Sequence, residues 1–276
     1  MICAWQAYWN LLPITLREEV SKVGDRLQET RMRLGAPVEL ILENKSVYLK
    51  TIARKQDLDF TINCVSRYSP WSSHSIQQGY ITGQGGHRVG ICGQVQDNGL
   101  GFHTITSLCI RAAKDFPGIA QNAANIPGSI LVIGPPGCGK TTFLRDLIRQ
   151  RSQSETIAVV DEKGEIFPYI SGDACFEKGL HTDVITGCTK AYGIESVLRN
   201  MGPNTIAVDE ITSPEDCQSL ELAGWCGVHL LATAHASSVI DLQRRSVYRP
   251  LKESNIFSHC IILNHNRTWN IERIGI

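Results

Sequence analysis

One segment is the most informative about the fold class, and it reads Ser129-Ile130-Leu131-Val132-Ile133-Gly134-Pro135-Pro136-Gly137-Cys138-Gly139-Lys140-Thr141. After Ser129 it begins with an apolar run that is typical of a buried strand, and it continues with a match to G-x-x-x-x-G-K-[ST]. The residues that follow predict a helix through apolar side chains at Phe143, Leu144, Leu147 and Ile148. A strand, a glycine-rich loop and a helix in this order predict a P-loop within an α/β fold.

The residue types in this loop suit the binding of nucleotide phosphates. Glycines let backbone N–H groups turn inward around phosphate oxygens, and the start of the helix adds the positive end of its dipole. We expect Lys140 to neutralise the β- and γ-phosphates and Thr141 to offer its hydroxyl to Mg²⁺. The predicted nucleotide contacts are Gly134, Pro135, Pro136, Gly137, Cys138, Gly139, Lys140, Thr141 and Thr142. The loop itself leaves the reaction open.

Two other apolar runs end in pairs of carboxylates. Asp209-Glu210 follows the first, where a P-loop protein has an Asp for Mg²⁺ and a Glu that polarises the attacking water. Asp161-Glu162 follows the second. Two acidic strand ends at one phosphate site would repel each other, which favours a cation between them, with Asp161 as a candidate metal ligand and Glu162 as a candidate catalytic residue. A solvated loop is the alternative for each pair.

A third apolar run ends at Thr233-Ala234-His235, where a neutral His235 could donate to the γ-phosphate or to the attacking water. Within the same run, His229 is expected to be a hydrogen-bonded core histidine. The helix after Glu210 is predicted to begin with Ser213 as N-cap and Pro214 in the first position. This start aims Glu210 across the carboxyl edge of the sheet, where ligands of α/β proteins bind.

The whole chain has 276 residues, of which 42% are hydrophobic and 20% charged, as expected for a folded, water-soluble protein. Lys and Arg number 27 and so do Asp and Glu, so no net field draws the protein to nucleic acid. The cysteines form no C-x-x-C pair, no signal peptide is present, and no apolar run is long enough to cross a bilayer. These features predict a cytoplasmic, reduced protein.

Two Pro-Gly pairs divide the chain, at Pro117-Gly118 and Pro127-Gly128. Residues 1–115 predict a small α+β domain with an antiparallel sheet, beginning with a helix that carries Leu12, Leu16, Val20 and Val23 on one face. Residues 116–128 are predicted to be a linker. In residues 129–276 short apolar runs alternate with helical segments, which predicts a parallel sheet, with a hairpin from Ile256 to Ile274 at its edge.

The order of these motifs resembles the secretion ATPases of type II and type IV secretion and of pilus retraction, which are RecA-like hexameric motors. In particular, Gly79-Tyr80-Ile81-Thr82, Gly85-Gly86-His87-Arg88-Val89-Gly90, the P-loop and Ser213-Pro214-Glu215-Asp216-Cys217 resemble the stage III sporulation AA family of endospore-forming bacteria. The resemblance extends over nearly the whole chain.

This resemblance implies a RecA-like, Mg²⁺-dependent ATPase that powers a channel between mother cell and forespore. It implies a homo-oligomer, expected to be a hexamer, placed at the mother-cell side of the membrane by integral membrane proteins of the channel. It also implies that arginines of the N-terminal sheet reach the phosphates, and Arg88 and Arg111 match that role. A surface arginine on a strand is the alternative for both.

Two other functions are compatible with a P-loop. A kinase or small-molecule phosphotransferase needs an acceptor pocket and an arginine-bearing lid, for which Arg244, Arg245 and Arg249 are available. An ATP-dependent scaffold with little hydrolysis would not need Glu210. Phosphate release without an added acceptor distinguishes a hydrolase from both.

Overall fold

The computed structural model describes residues 1–43, 45–66, 79–96, 101–170, 172–266 and 268–274. The chain folds into two compact units, which are Met1–Asp115 with Ile170–Cys175, and Phe116–Tyr169 with Phe176–Ile276. None of the helices in the described residues has the length and apolar character needed to cross a membrane.

The first unit is built on an antiparallel sheet whose apolar face packs against helices. The described elements are α1 (Trp5–Leu11), α2 (Ile14–Ser21), β1 (Leu27–Arg33), β2 (Pro37–Leu42), β3 (Ser46–Ile52), α3 (Lys55–Ser66), β4 (Tyr80–Thr82), β5 (Arg88–Val95) and β6 (Phe102–Arg111). The strand order is β3-β2-β1-β6-β5-β4.

Two features of this unit differ from the sequence prediction. The predicted first helix is interrupted at Pro13, so that Leu16 and Val20 are buried from α2 while Leu12 lies outside it. The strand β1 was not predicted, because its pairing with β2 shifts register between Leu27 and Glu29 and so breaks the simple alternation of apolar side chains.

The second unit is a mostly parallel sheet with helices on both faces, as the sequence predicts. The described elements are β7 (Ile130–Ile133), α4 (Lys140–Arg151), β8 (Ile157–Asp161), β11 (Thr182–Thr186), α5 (Lys190–Asn200), β12 (Thr205–Val208), α6 (Pro214–Trp225), β13 (His229–Ala234), α7 (Val239–Arg244), α8 (Arg249–Glu253), β14 (His259–Leu263) and β15 (Trp269–Arg273). The short strands β9 (Tyr169–Ile170) and β10 (Asp173–Ala174) pair with each other in a separate two-stranded sheet, and Ile170 and β10 belong to the first unit.

The strand order of this sheet, β11-β8-β12-β13-β7-β14-β15, positions the candidate site. All neighbours pair in parallel except β14 and β15, which form the antiparallel edge hairpin. The strand β13 therefore lies between β7, which leads into the glycine loop, and β12, which leads into Asp209. Because parallel strands share one carboxyl edge, side chains at the ends of these three strands converge there.

Residues 116–128 are packed on the second unit and do not form a free linker. Ala120 and Ala123 are fully buried in the cluster that contains Ile130 and Phe143. The buried carboxylate of Asp146 accepts hydrogen bonds from the N–H groups of Gly118 and Ala120. The small residues that suggested a linker are therefore small because they pack closely against α4.

Candidate nucleotide-binding site

The predicted phosphate loop is one continuous turn between β7 and α4. Gly137 and Gly139 have φ angles of 76° and 95°, in the left-handed region that glycine adopts without strain. At Gly134 a Cβ atom would lie 2.6 Å from the Sγ of Cys138 and 2.8 Å from the carbonyl oxygen of Leu263. The conformation of the loop thus requires the glycines of the sequence motif.

Lys140 is the first residue of α4, and its side chain lies inside the loop with 8% of its surface exposed. Its Nζ donates to the carbonyl oxygens of Gly134 and Pro135, each at 3.0 Å, and lies 3.0 Å from Nδ1 of His235. Burial lowers the pKa of Lys140 below its usual range. The three ammonium hydrogens therefore have three partners.

His235 connects Lys140 with Glu210. Its Nε2 lies 2.7 Å from Oε1 of Glu210, while its Nδ1 faces the Lys140 ammonium. Because an ammonium can only donate, Nδ1 accepts, and Nε2 carries the proton that is donated to the carboxylate. These partners assign His235 as the neutral Nε2–H tautomer.

Glu210 is held at its backbone and at both carboxylate oxygens. Its φ angle is 42°, in a region that L-residues rarely adopt. Its N–H donates to Oγ1 of Thr233 at 2.8 Å, and its Oε2 accepts from Nζ of Lys163 at 3.3 Å. Burial raises the pKa of Glu210, but Lys163 and His235 outweigh burial, so that its pKa lies below the usual range.

Asp209 joins the loop to β13 through hydroxyl groups. Its Oδ2 accepts from Oγ1 of Thr141 at 2.7 Å, and its Oδ1 accepts from Oγ1 of Thr233 at 2.5 Å. A hydroxyl and a carboxylate side by side are hard oxygen ligands of the kind that Mg²⁺ takes from P-loop proteins. The residues present therefore fit a magnesium ion between Thr141 and Asp209.

The carboxylate of Asp161 has a different environment from that of Asp209. Its oxygens accept hydrogen bonds from the N–H groups of residues 165, 166 and 167, at 2.8–3.0 Å. It is 1% exposed, and burial raises its pKa to about 6. Asp161 therefore holds the turn after β8, and its binding of metal stays a prediction.

Glu162 also has a protein partner. Its Oε2 lies 2.7 Å from Nζ of Lys190, and this buried ammonium lies 3.5 Å from Asp216 as well. Asp216 in turn completes the capping box of α6 with Ser213, the predicted N-cap. The two acidic strand ends do lie together, since one open cleft is lined by Asp161, Glu162, Lys163, Glu165, Lys190, Asp209 and Glu210.

Arg88 and Arg111 belong to the first unit, where they occupy opposite positions in the antiparallel pairing of β5 with β6. The guanidinium of Arg88 lies 3.7 Å from the ring centroid of Tyr80, and burial lowers its pKa. Nε of Arg111 lies 3.2 Å from Oε1 of Glu29. Their approach to nucleotide phosphates stays a prediction.

Three residues of the site were not predicted, namely Lys163, Lys190 and Thr233. A signal existed for Lys163, which directly follows Asp161-Glu162, and for Thr233, which lies two positions before His235 on one strand face. The prediction for His229 was wrong, because it is exposed at the first position of β13.

Two solved structures with a similar fold are an ATPase and a pilus retraction motor. The Legionella pneumophila ATPase DotB matches with a TM-score of 0.62 and 16% identity over 95% of this chain and 80% of that chain. The pilus retraction motor PilT with bound ADP matches with a TM-score of 0.63 and 15% identity over 91% of this chain and 78% of that chain. The architecture of this chain is therefore that of a RecA-like P-loop protein.

Sequence comparison identifies the family of the chain. The model of the family "Sporulation stage III, protein AA" matches residues 7–274. Stage III sporulation protein AA of Bacillus subtilis is 34% identical over 92% of this chain and 89% of its own length. The chain belongs to the stage III sporulation protein AA family. A plant protein, SEEDLING PLASTID DEVELOPMENT 1 of Arabidopsis thaliana, is 27% identical over 84% of this chain and 34% of its own length.

Proposed function

We propose that this protein is a Mg²⁺-dependent ATPase in which water attacks the γ-phosphate of ATP. The observation that carries the proposal is the contact chain from Lys140 through His235 to Glu210, beside the pair of Thr141 and Asp209. Groups that can bind phosphate, hold a cation and polarise water thus share one edge of the sheet.

Each group has a separate role in this reaction. Lys140 exchanges loop carbonyls for the β- and γ-phosphate oxygens, and backbone N–H groups of the loop bind the others. Thr141 and Asp209 would hold Mg²⁺, which neutralises charge on the phosphates. Glu210 takes a proton from the attacking water. The water oxygen forms a bond to the γ-phosphorus, and the bond from this phosphorus to the β-phosphate oxygen of ADP breaks. His235 holds the Glu210 carboxylate from the side of the loop.

Phosphate release from Mg-ATP, without any added acceptor, tests the proposal. We expect Lys140→Ala to lose both nucleotide binding and turnover, and Glu210→Gln to lose turnover while it still binds ATP. Glu195→Gln, which changes an exposed glutamate on α5, is the matched control. Unchanged turnover in Lys140→Ala and Glu210→Gln would refute the assignment of Lys140 and Glu210 to the catalytic site. Release that requires an acceptor would favour a phosphotransferase, and binding without release would favour a scaffold.

We further propose that ATP hydrolysis powers assembly of, or transport through, a channel between mother cell and forespore. Membership in a sporulation family supports the setting, and the fold shared with DotB and the PilT retraction motor supports a motor. The proposed partners are integral membrane proteins of the channel, with the protein peripheral on the cytoplasmic, mother-cell side. Nucleic acid is not a proposed partner, because the formal net charge is zero.

The proposed assembly is a homo-oligomer, expected to be a hexamer, in which Arg88 or Arg111 reaches the nucleotide of a neighbouring copy. Light scattering with and without Mg²⁺ and a non-hydrolysable ATP analogue tests the oligomer. Mixing Arg88→Ala with Glu210→Gln tests action between copies, because the Glu210→Gln copies have an intact Arg88 and the Arg88→Ala copies have an intact Glu210. Turnover in the mixture would support a trans-acting Arg88, whereas a monomer under both conditions would refute it.

A further inference from the structure

The contact between Lys163 and Glu210 has no role in the steps proposed above. Nζ of Lys163 lies 3.3 Å from Oε2 of Glu210, and Nε2 of His235 lies 2.7 Å from Oε1. Both oxygens of the carboxylate that would polarise water are thus bound to protein donors.

The two contacts pull Glu210 in opposite directions along the sheet edge. Lys163 follows β8 and His235 follows β13, and these strands flank β12 on opposite sides. The glycine loop follows β7, which lies beyond β13. His235 therefore holds Glu210 from the loop side, whereas Lys163 holds it from the side away from the loop.

The turn that carries Lys163 is fixed, while its side chain can exchange partners. Asp161 accepts three backbone hydrogen bonds from residues 165–167 and so fixes the turn. The Lys163 side chain is 47% exposed, and an ion pair at such a surface is weak and readily replaced. Glu210 has a backbone φ of 42°, and strained residues of this kind cluster where a segment switches between two states.

We infer that Lys163 is a positioning residue that restrains Glu210 on the side away from the phosphate loop and thereby keeps basal ATP hydrolysis slow. This inference rests on the proposed ATPase function. Release of Oε2 from Lys163 lets the carboxylate turn toward the loop, where a water would attack. Any partner or neighbouring copy that binds the exposed Lys163 ammonium would accelerate hydrolysis through this release.

The experiment compares kcat and KM for Mg-ATP in the full chain and in Lys163→Met, Lys163→Gln and Lys163→Arg. We expect both neutral variants to raise kcat by about threefold or more, the size of effect that one exposed ion pair supplies, with KM nearly unchanged. Lys163→Arg restores the cation and should keep the wild-type rate. Lys50→Met, at an exposed lysine of β3, is the matched control.

Two further measurements locate the effect. Lys163→Met combined with Glu210→Gln should show no turnover, as Glu210→Gln alone does, because the gain passes through Glu210; turnover in the double variant would overturn the inference. Thermal unfolding shows whether the neutral variants remain folded, and a faster rate in either folded variant supports the restraint. If the wild type is active and kcat is unchanged or lowered in both neutral variants, the inference about Lys163 is overturned, while the proposed ATPase function stands. No phosphate release from any protein, wild type included, overturns the proposed function, and the restraint with it.

Discussion

His235 and Glu210 form a hydrogen bond of 2.7 Å between Nε2 and Oε1, while Nδ1 of the same imidazole faces the ammonium of Lys140. In the proposed reaction Lys140 leaves this position in part to bind phosphate, and the imidazole would sense the exchange. The bond would then link occupancy of the phosphate loop to the position of the Glu210 carboxylate.

Substitution of His235 should separate its two contacts. Gln places an amide where Nε2 was and Asn places one where Nδ1 was, so only His235→Gln can keep the contact with Glu210. We expect His235→Ala to lower kcat by roughly 100-fold, the contribution of one positioned catalytic group, and His235→Gln to retain more activity than His235→Asn. Phosphate-release kinetics measure this. Wild-type kcat in His235→Ala would contradict the assignment.

Thr233→Val should reduce both stability and turnover. The fully buried hydroxyl of Thr233 donates to Asp209 and accepts from the N–H of Glu210, and Val leaves both without this partner. We expect a loss of about 1–3 kcal/mol in the free energy of unfolding, measured by urea denaturation. Thr233→Ser keeps the hydroxyl and is the matched control. A Val variant as stable and as active as the Ser variant would rule this out.

The buried His87 should make the stability of the protein depend on pH. Its ring is fully buried, with Nδ1 accepting from the N–H of Ala113 at 3.0 Å and Nε2 donating to the carbonyl of Ala4 at 2.9 Å. Burial lowers the pKa of His87 below 6.5. Its contribution to the free energy of unfolding is therefore complete above about pH 6.5 and is lost as the pH falls through the folded-state pKa.

Urea denaturation between pH 7.5 and 5 measures this effect. We expect the free energy of unfolding of the wild type to fall over this range, and His87→Asn to fall less, since Asn does not titrate. His103→Asn, at an exposed histidine of β6, should keep the wild-type dependence. Equal pH dependence in His87→Asn and the wild type would show that another group is responsible.

Gly193 lets α5 pack closely against β8, so a larger residue there should destabilise the protein. A Cβ atom there would lie 2.4 Å from Cγ1 of Val160 and 3.2 Å from Sγ of Cys188. We expect Gly193→Ala to destabilise the protein by about 1–3 kcal/mol through overpacking, despite the better helix propensity of Ala. Gly90→Ala, whose Cβ would meet no atom closer than 3.8 Å, is the control. Thermal and urea unfolding measure both, and a Gly193→Ala protein of wild-type stability would contradict the packing.

The parts of the fold that depend on neighbouring residues could be predicted from the sequence. The strand Ile130–Ile133, the glycine loop, the helix after it, the N-cap at Ser213 and the edge hairpin all follow from patterns within about 20 residues. The strand β1 could not be predicted in this way, since a bulge breaks its alternation. Residues 116–128 were predicted to be a linker because they contain many small residues. These residues are small because they pack on α4, and that contact joins parts of the chain that are distant in sequence.

A phosphate loop, two acidic strand ends and a strand end with a histidine can be recognised in the sequence, because each is a local run of residues with its own geometry. How these parts combine depends on the tertiary structure. Lys140 and His235 are 95 residues apart in the chain and 3.0 Å apart in space. The cause is the strand order, which inserts β13 between β7 and β12. That order is set by how all the strands and helices bury their apolar faces together, and no local pattern encodes it.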